Sequence, residues 1–195
     1  MTENVTRNRL ILVLLFVLFF APIVIALLLN SKWVDWSASP GRAHGELLRP
    51  VVPLGEFALT DALGQQRTQD DLADLWIVVM TRTGDCDSEC RESLLLMHSI
   101  RLAQDRRAPD AALMLLSDQI LPDPLLNELT ATDATWRVFD GDAGARLLRR
   151  FPGAASGTFY IVDPEGNIIE RFAPDADPTG IRKDLDRLMT WTVRE

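Results

Sequence analysis

An α/β domain with a central mixed sheet flanked by helices, preceded by a single N-terminal transmembrane helix, is the fold class the sequence predicts. Three observations predict it. Short apolar runs bounded by turn residues alternate with longer helical patterns through residues 54–195, as in layered α/β domains. The last two such runs are joined by Asp163-Pro164-Glu165-Gly166, a tight turn with proline at its second position, which makes an antiparallel hairpin. Leu10 to Leu29 is a stretch of 20 residues without a charge, enough at helical rise to cross a hydrocarbon core of about 30 Å.

The chain therefore divides into a cytoplasmic tail (1–9), a transmembrane anchor (10–29), a tether (30–53) and a folded domain (54–195). A cleaved signal peptide is the competing reading of the apolar run. Its apolar region would be about 7–15 residues, followed closely by a small-x-small site. The nearest such triplet, Ser37-Ala38-Ser39, lies well past the end of the run. Arg7 and Arg9 precede the run; Lys32, Trp33 and Trp36 follow it, with Arg42 further on. Basic residues on the cytoplasmic side and an aromatic belt on the far side place the domain in the periplasm, held by the bacterial inner membrane. The tether is read from Ser37, Ser39, Pro40, Gly41, Gly45, Pro50 and Pro53, which interrupt regular structure. His44 lies in it, as a solvated linker residue or as a mobile ligand.

Within the domain, Phe57 to Gly64 reads as a strand running into a tight turn, and Thr68 to Leu75 as a capped helical turn. Trp76 to Met80 is continuously apolar, as a central parallel strand should be. A helix opens at or near Cys86 and Cys90 and runs to about Gln104. Its Leu94, Leu95, Leu96, Met97, Ile100 and Leu102 are read as one broad core face. Ala112 to Ser117 is the next buried strand. Pro122-Asp123-Pro124 opens a helix, with Pro124 in its first turn. Trp136 to Asp140 is a short strand and Ala143 to Arg150 a short helix. Gly157 to Asp163 and Asn167 to Phe172 form the hairpin, and Asp177-Pro178 opens a last helix to about Trp191. This order of elements makes a thioredoxin-like α/β domain.

The chemistry concentrates where the strand from Trp76 meets the helix. Both cysteines of the chain, Cys86 and Cys90, stand there. A helix N-terminus supplies unpaired N–H groups and about half a positive charge, and both favour thiolate over thiol. If both residues are helical, the i, i+4 spacing sets their Cα atoms roughly 6 Å apart, inside the window a disulfide tolerates. Asp85, Asp87 and Glu89 oppose the thiolate, and Arg82 and Arg91 offset them. His98 does not join the pair: eight residues beyond Cys90, it falls about 12 Å along the helix and about 80° around it.

Cys86-Asp-Ser-Glu-Cys90 after an apolar strand resembles the Sco/SenC family of membrane-anchored, thioredoxin-like cytochrome c oxidase assembly proteins. Phe159-Tyr-Ile-Val-Asp-Pro-Glu-Gly166 is a second local match, and the order of elements follows the family pattern over most of residues 55–191. The resemblance implies that the two cysteines, with a distant histidine, handle copper, or that they act as a thiol–disulfide pair. The chain departs from the family at several points. Asp87 and Arg91 replace the prolines usual after each cysteine, and Ala155 stands about where the histidine belongs. The third copper ligand therefore does not carry over. Two thiolates still suit Cu(I), which soft sulfur selects, whereas Cu(II) loses its imidazole. Nor does Ala155-Ser-Gly157 supply the proline a thioredoxin oxidoreductase carries ahead of this strand. Val79 stands where a peroxiredoxin's proline would.

These features imply a membrane-anchored factor that assists oxidase assembly by thiol–disulfide exchange or copper handling through Cys86 and Cys90. The partner is an oxidase subunit or another assembly factor. The alternative is a non-catalytic interaction module docked to a membrane complex, its cysteines locked in a structural disulfide. Beyond residues 1–9 the chain carries 18 basic and 27 acidic side chains, net −9, which excludes nucleic acid as a partner.

Overall fold

The computed structural model describes residues 9, 18–21 and 44–191. The chain falls into two units, Met1–Arg42 and Ala43–Glu195. In the first, residues 9 and 18–21 are helical. The rest of the tail, the rest of the expected anchor and the tether up to residue 43 lie outside the described residues. Among the described residues no helix is long and apolar enough to cross a membrane.

The second unit is built on a six-stranded mixed sheet. Its strands are β1 (Glu46–Pro53), β4 (Trp76–Arg82), β5 (Ala111–Ser117), β6 (Trp136–Phe139), β7 (Phe159–Val162) and β8 (Asn167–Phe172), in the order β1-β8-β7-β4-β5-β6. β4, β5 and β6 run parallel, and β7, β8 and β1 are added antiparallel. A small hairpin, β2 (Ala58–Thr60) with β3 (Gln66–Thr68), leads through a 3-10 turn at Gln69–Leu72 into β4. Asp71 caps that turn by accepting from the Thr68 amide at 2.7 Å. The expectation that residues 46–53 belong to a tether is corrected here. They form β1, paired with β8 from Glu46↔Arg171 to Pro53↔Asn167. Pro50 and Pro53 are compatible with a strand because β1 is an edge, where a missing N–H goes unused.

Four helices cover the sheet: α1 (Ser88–Leu102), α2 (Asp123–Thr132), α3 (Gly141–Leu148) and α4 (Pro178–Trp191). Trp76, Val78 and Met80 of β4 pack with Leu94, Met97 and Ile100 of α1, Leu125 and Leu129 of α2, and Ile181, Leu185 and Met189 of α4. Ile77 and Val79 face the other way, onto Leu147 and Leu148 of α3 with Phe139, Phe151 and Tyr160. β4 is thus buried on both faces, as its unbroken apolar sequence requires. Each such side chain contributes about 1.5–3 kcal/mol relative to exposure. The core stripe of α1 is narrower than expected: Leu95 is 55% exposed and Leu102 53%. They lie off the 3.6-residue stripe that Leu94, Met97 and Ile100 define.

Candidate functional site

β4 ends at Arg82, and Thr83-Gly84-Asp85 carries the chain to Cys86. Asp87 is the N-cap of α1, so Cys86 precedes the helix and Cys90 lies in its first turn. Only Cys90 is helical, yet the pair closes: Cys86 and Cys90 form a disulfide with Cα atoms 5.2 Å apart. Cys90 is 2% exposed and belongs to the core under α1, whereas Cys86 is half-buried against the same core. The cysteine with solvent exposure is therefore the one ahead of the helix.

Arg82 and Asp118 hold the loop. The Arg82 guanidinium donates to the Asp85 carbonyl through Nε at 2.8 Å and through Nη2, and Nη2 also donates to Asp87 Oδ2 at 3.1 Å. Asp87 Oδ1 accepts from the Cys90 amide at 2.9 Å. That amide bond, helped by Arg82, holds the Asp87 carboxyl below its ordinary range. The positive helix end is thus already engaged by a carboxylate, and that carboxylate is balanced by an arginine. Gly84, at φ 79°, adopts a left-handed conformation that costs glycine little, and its amide donates to Asp118 Oδ1 at 2.8 Å. The contributions of Arg82 and Asp118 as clamps were not legible in sequence, because each depends on a loop crossing the end of the sheet.

The segment before β7 lies alongside. Thr81 Oγ1 donates to the Ala155 carbonyl at 2.7 Å, the Gly157 amide donates to the Thr81 carbonyl at 2.7 Å, and Ser156 Oγ donates to the Thr83 carbonyl at 3.3 Å. Ala155 therefore sits beside the strand that delivers Cys86, and it brings no ligand atom but its backbone.

The histidines are placed elsewhere. His98 Nδ1 lies 3.1 Å from Asp133 Oδ2, which also accepts from Arg101 at 2.9 Å. Burial works to raise the Asp133 carboxyl, but hydrogen bonds from Thr135 and the Arg101 charge outweigh it and hold it below the usual range. His44 is engaged by Asp184 of α4, with Nδ1 3.2 Å from Oδ1. It lines a cavity of about 350 Å³ that Ala155 and Thr158 also line. Among the described residues no three His, Cys, Asp or Glu side chains converge as a metal site. The donor set beside the loop is two sulfurs, bonded to each other. A separate cavity of about 640 Å³ opens at the other end of β4, between Leu54, Phe57, Leu72 and Ile77; neither cysteine lines it.

The sequence profile of the family described as "Transmembrane-like, thioredoxin-like, C-terminal domain" matches residues 76–192. This span runs from β4 and the cysteine pair through the last helix. The chain belongs to that family. Its fold is also that of the Sco proteins. Copper-bound ScoI of Bradyrhizobium japonicum superposes with a TM-score of 0.54 over 70% of this chain and 98% of its own, at 20% identity. BsSco, described as a member of the Sco family of cytochrome c oxidase assembly proteins with a disulfide switch, gives 0.57 over 75% and 99%, at 13% identity. A probable phospholipid hydroperoxide glutathione peroxidase of Citrus sinensis is 32% identical over 75 residues, 31% of this chain. The chain spans 45% of the length of that curated relative. The family's thioredoxin-like domain here carries the expected mixed sheet and flanking helices, with its disulfide at the strand–helix junction.

Proposed function

We propose that this chain is a membrane-anchored thioredoxin-like factor that assists cytochrome c oxidase assembly by thiol–disulfide exchange through Cys86 and Cys90. Residues 10–29 anchor it in the bacterial inner membrane, with residues 1–9 cytoplasmic and the domain periplasmic. The observation that carries the reading is the asymmetry of the disulfide, one half-buried sulfur ahead of the helix and one buried sulfur inside it.

In this reading a partner thiolate attacks the Cys86 sulfur. A mixed disulfide forms, and the Cys86–Cys90 bond breaks with its electron pair on Cys90. A second partner thiolate then attacks its own sulfur of the mixed disulfide and releases Cys86 as thiolate. The partner dithiol is oxidised by two electrons and this pair is reduced by two. Run in reverse, Cys86 attacks a partner disulfide, Cys90 resolves the mixed disulfide, and the partner's cysteines are left reduced for metal loading. Copper enters as cargo: once reduced, the two sulfurs offer Cu(I) a two-coordinate thiolate site.

A second reading is favoured by the Arg82–Asp87 clamp, which occupies the helix N-terminus with a carboxylate and so disfavours thiolate at Cys86. The pair is then a structural disulfide in a module that docks to a membrane complex. Titration of the cysteine pair against glutathione and dithiothreitol buffers separates the two. Exchange chemistry requires a potential near those of redox partners, whereas a value below about −300 mV assigns a structural bond.

A further inference from the structure

Glu170 of β8 is fully buried, and neither of its carboxyl oxygens makes a hydrogen bond of good geometry among the described residues, with only the Asp184 carboxyl and the Gly45 amide set against it. It lies on the face of the sheet that α4 covers, beside Asp184, itself 1% exposed. Two carboxyl groups taken from water side by side cannot both hold a charge at modest cost. Asp184 is the one that collects donors. It accepts from the backbone amides of His44 and Gly45, the latter at 3.2 Å, and pairs with His44 Nδ1 at 3.2 Å and Arg187 at 3.1 Å. Glu170 has only the Asp184 carboxyl and the Gly45 amide against it, so a proton on it removes one of two adjacent buried negative charges.

The backbone around this pair is cut to receive residues 44 and 45. A Cβ on Gly180 of α4 would stand 2.7 Å from His44 Cβ and 2.9 Å from its Cγ. A Cβ on Gly45 would stand 2.7 Å from both Glu170 Cγ and the Phe172 ring. Two glycines thus let this segment lie directly on α4 and β8, where it covers Glu170. The charged or titratable groups facing Glu170 are Asp184 and Arg187 from α4 and His44 from the segment. Its neighbours across the sheet are apolar: Ile161 on β7 and Leu47 on β1.

We propose that His44 and Gly45 form a proton-dependent strap, latched over Glu170 while Glu170 is protonated and released when it ionises against Asp184. Burial, and then the Asp184 charge, push the Glu170 carboxyl up from 4.5 to about 8. Opening the strap admits water and returns the group toward its ordinary value. The closed state therefore holds one more proton than the open state between those values. The latch is at full strength below about 4.5 and is lost as pH rises through about 8. Its release opens the cavity that His44 shares with Ala155 and Thr158.

Hydrogen exchange of the full-length chain, read by mass spectrometry on peptides covering residues 44–48 and corrected for the intrinsic rate at each pH, tests this. Protection of this segment should fall by at least tenfold between pH 5.5 and pH 7.5, while β7 amides hold theirs. Glu170→Gln, a neutral isostere, should keep the segment protected at both pH values. Gly180→Ala, which removes no titratable group, should leave it unprotected at both. Equal wild-type protection at the two pH values overturns the proposal. So does a Glu170→Gln profile that follows wild type, or a Gly180→Ala chain that retains protection.

Discussion

Arg82 and Asp87 form an ion pair across the turn that presents Cys86, with Nη2 and Oδ2 3.1 Å apart, while the other oxygen of the same carboxylate caps the Cys90 amide at 2.9 Å. One carboxylate therefore stands at the helix end that would otherwise stabilise a Cys86 thiolate, and one arginine compensates it. The two side chains push the reactivity of the pair in opposite directions.

Asp87→Ala frees the N–H groups of the first turn for the reduced sulfur. The midpoint pH for alkylation of Cys86 is expected to fall, and the potential of the pair to rise, about 30 mV for each tenfold change in the exchange constant. Arg82→Ala removes the compensating charge and is expected to lower the potential. Titrating both variants in the same redox buffers checks the opposition. Shifts of the same sign would show that the clamp acts through loop geometry and not through charge.

Asp133 joins α1 to the end of α2 by accepting from Arg101 and meeting His98. Its carboxyl is held below the ordinary 3.8. Its contribution to stability is therefore present above about pH 3.8 and lost as pH falls through the depressed value. Asp133→Ala leaves Arg101, 12% exposed in its side chain, without this partner and is expected to cost about 1–3 kcal/mol at neutral pH. Urea midpoints of wild type and variant should converge as pH drops toward 2.

Much of this arrangement was legible in sequence, and the reasons are physical. β4 has no polar residue from Trp76 to Met80, so only a strand buried on both faces suits it. β8 was found to the residue, because Asp163-Pro-Glu-Gly166 fixes where the hairpin turns and the buried positions alternate after it. β1 is hidden in the sequence because Pro50 and Pro53 read as breakers. Only its place at the edge, which no local pattern announces, makes them harmless. Glu170 is a charged residue in a short strand, and its full burial depends on α4 and on residues 44 and 45, which come from distant parts of the chain. In the candidate site the cysteines were legible from their spacing. The clamp by Arg82 and Asp118 was not, since it is made by residues from two strand ends.

Copper binding by the reduced protein should be confined to Cu(I). Cys86 and Cys90 supply two soft sulfurs, Ala155 supplies no imidazole, and His44 is engaged by Asp184. Competition with a Cu(I) chelator should give one Cu(I) per chain, abolished by Cys86→Ser. Cu(II) should give no thiolate charge-transfer band. If such a band appears and His44→Ala removes it, the histidine leaves Asp184 to complete the site, and the two-sulfur assignment fails.

The order in which the cysteines react tests the exchange mechanism most directly. A thiol's rate of attack depends on its thiolate fraction and on access. Access favours Cys86, since Cys90 is 2% exposed and sits over the core with Leu94 and Met97. The helix N-terminus is engaged by the Asp87 carboxylate, so access and not charge sets the order. After reduction, a short pulse of iodoacetamide followed by peptide mapping should label Cys86 before Cys90, and mild oxidation should restore the bond within one chain. Cys90→Ala then removes the resolving thiol. Mixed disulfides through Cys86 should accumulate with a model dithiol peptide, because nothing within the chain can displace the partner. Faster labelling at Cys90 would reverse the nucleophile assignment. If neither cysteine is labelled in the folded, reduced protein, exchange is closed to it and the structural-disulfide module is the correct reading, because an inaccessible pair cannot form the mixed disulfide on which transfer depends.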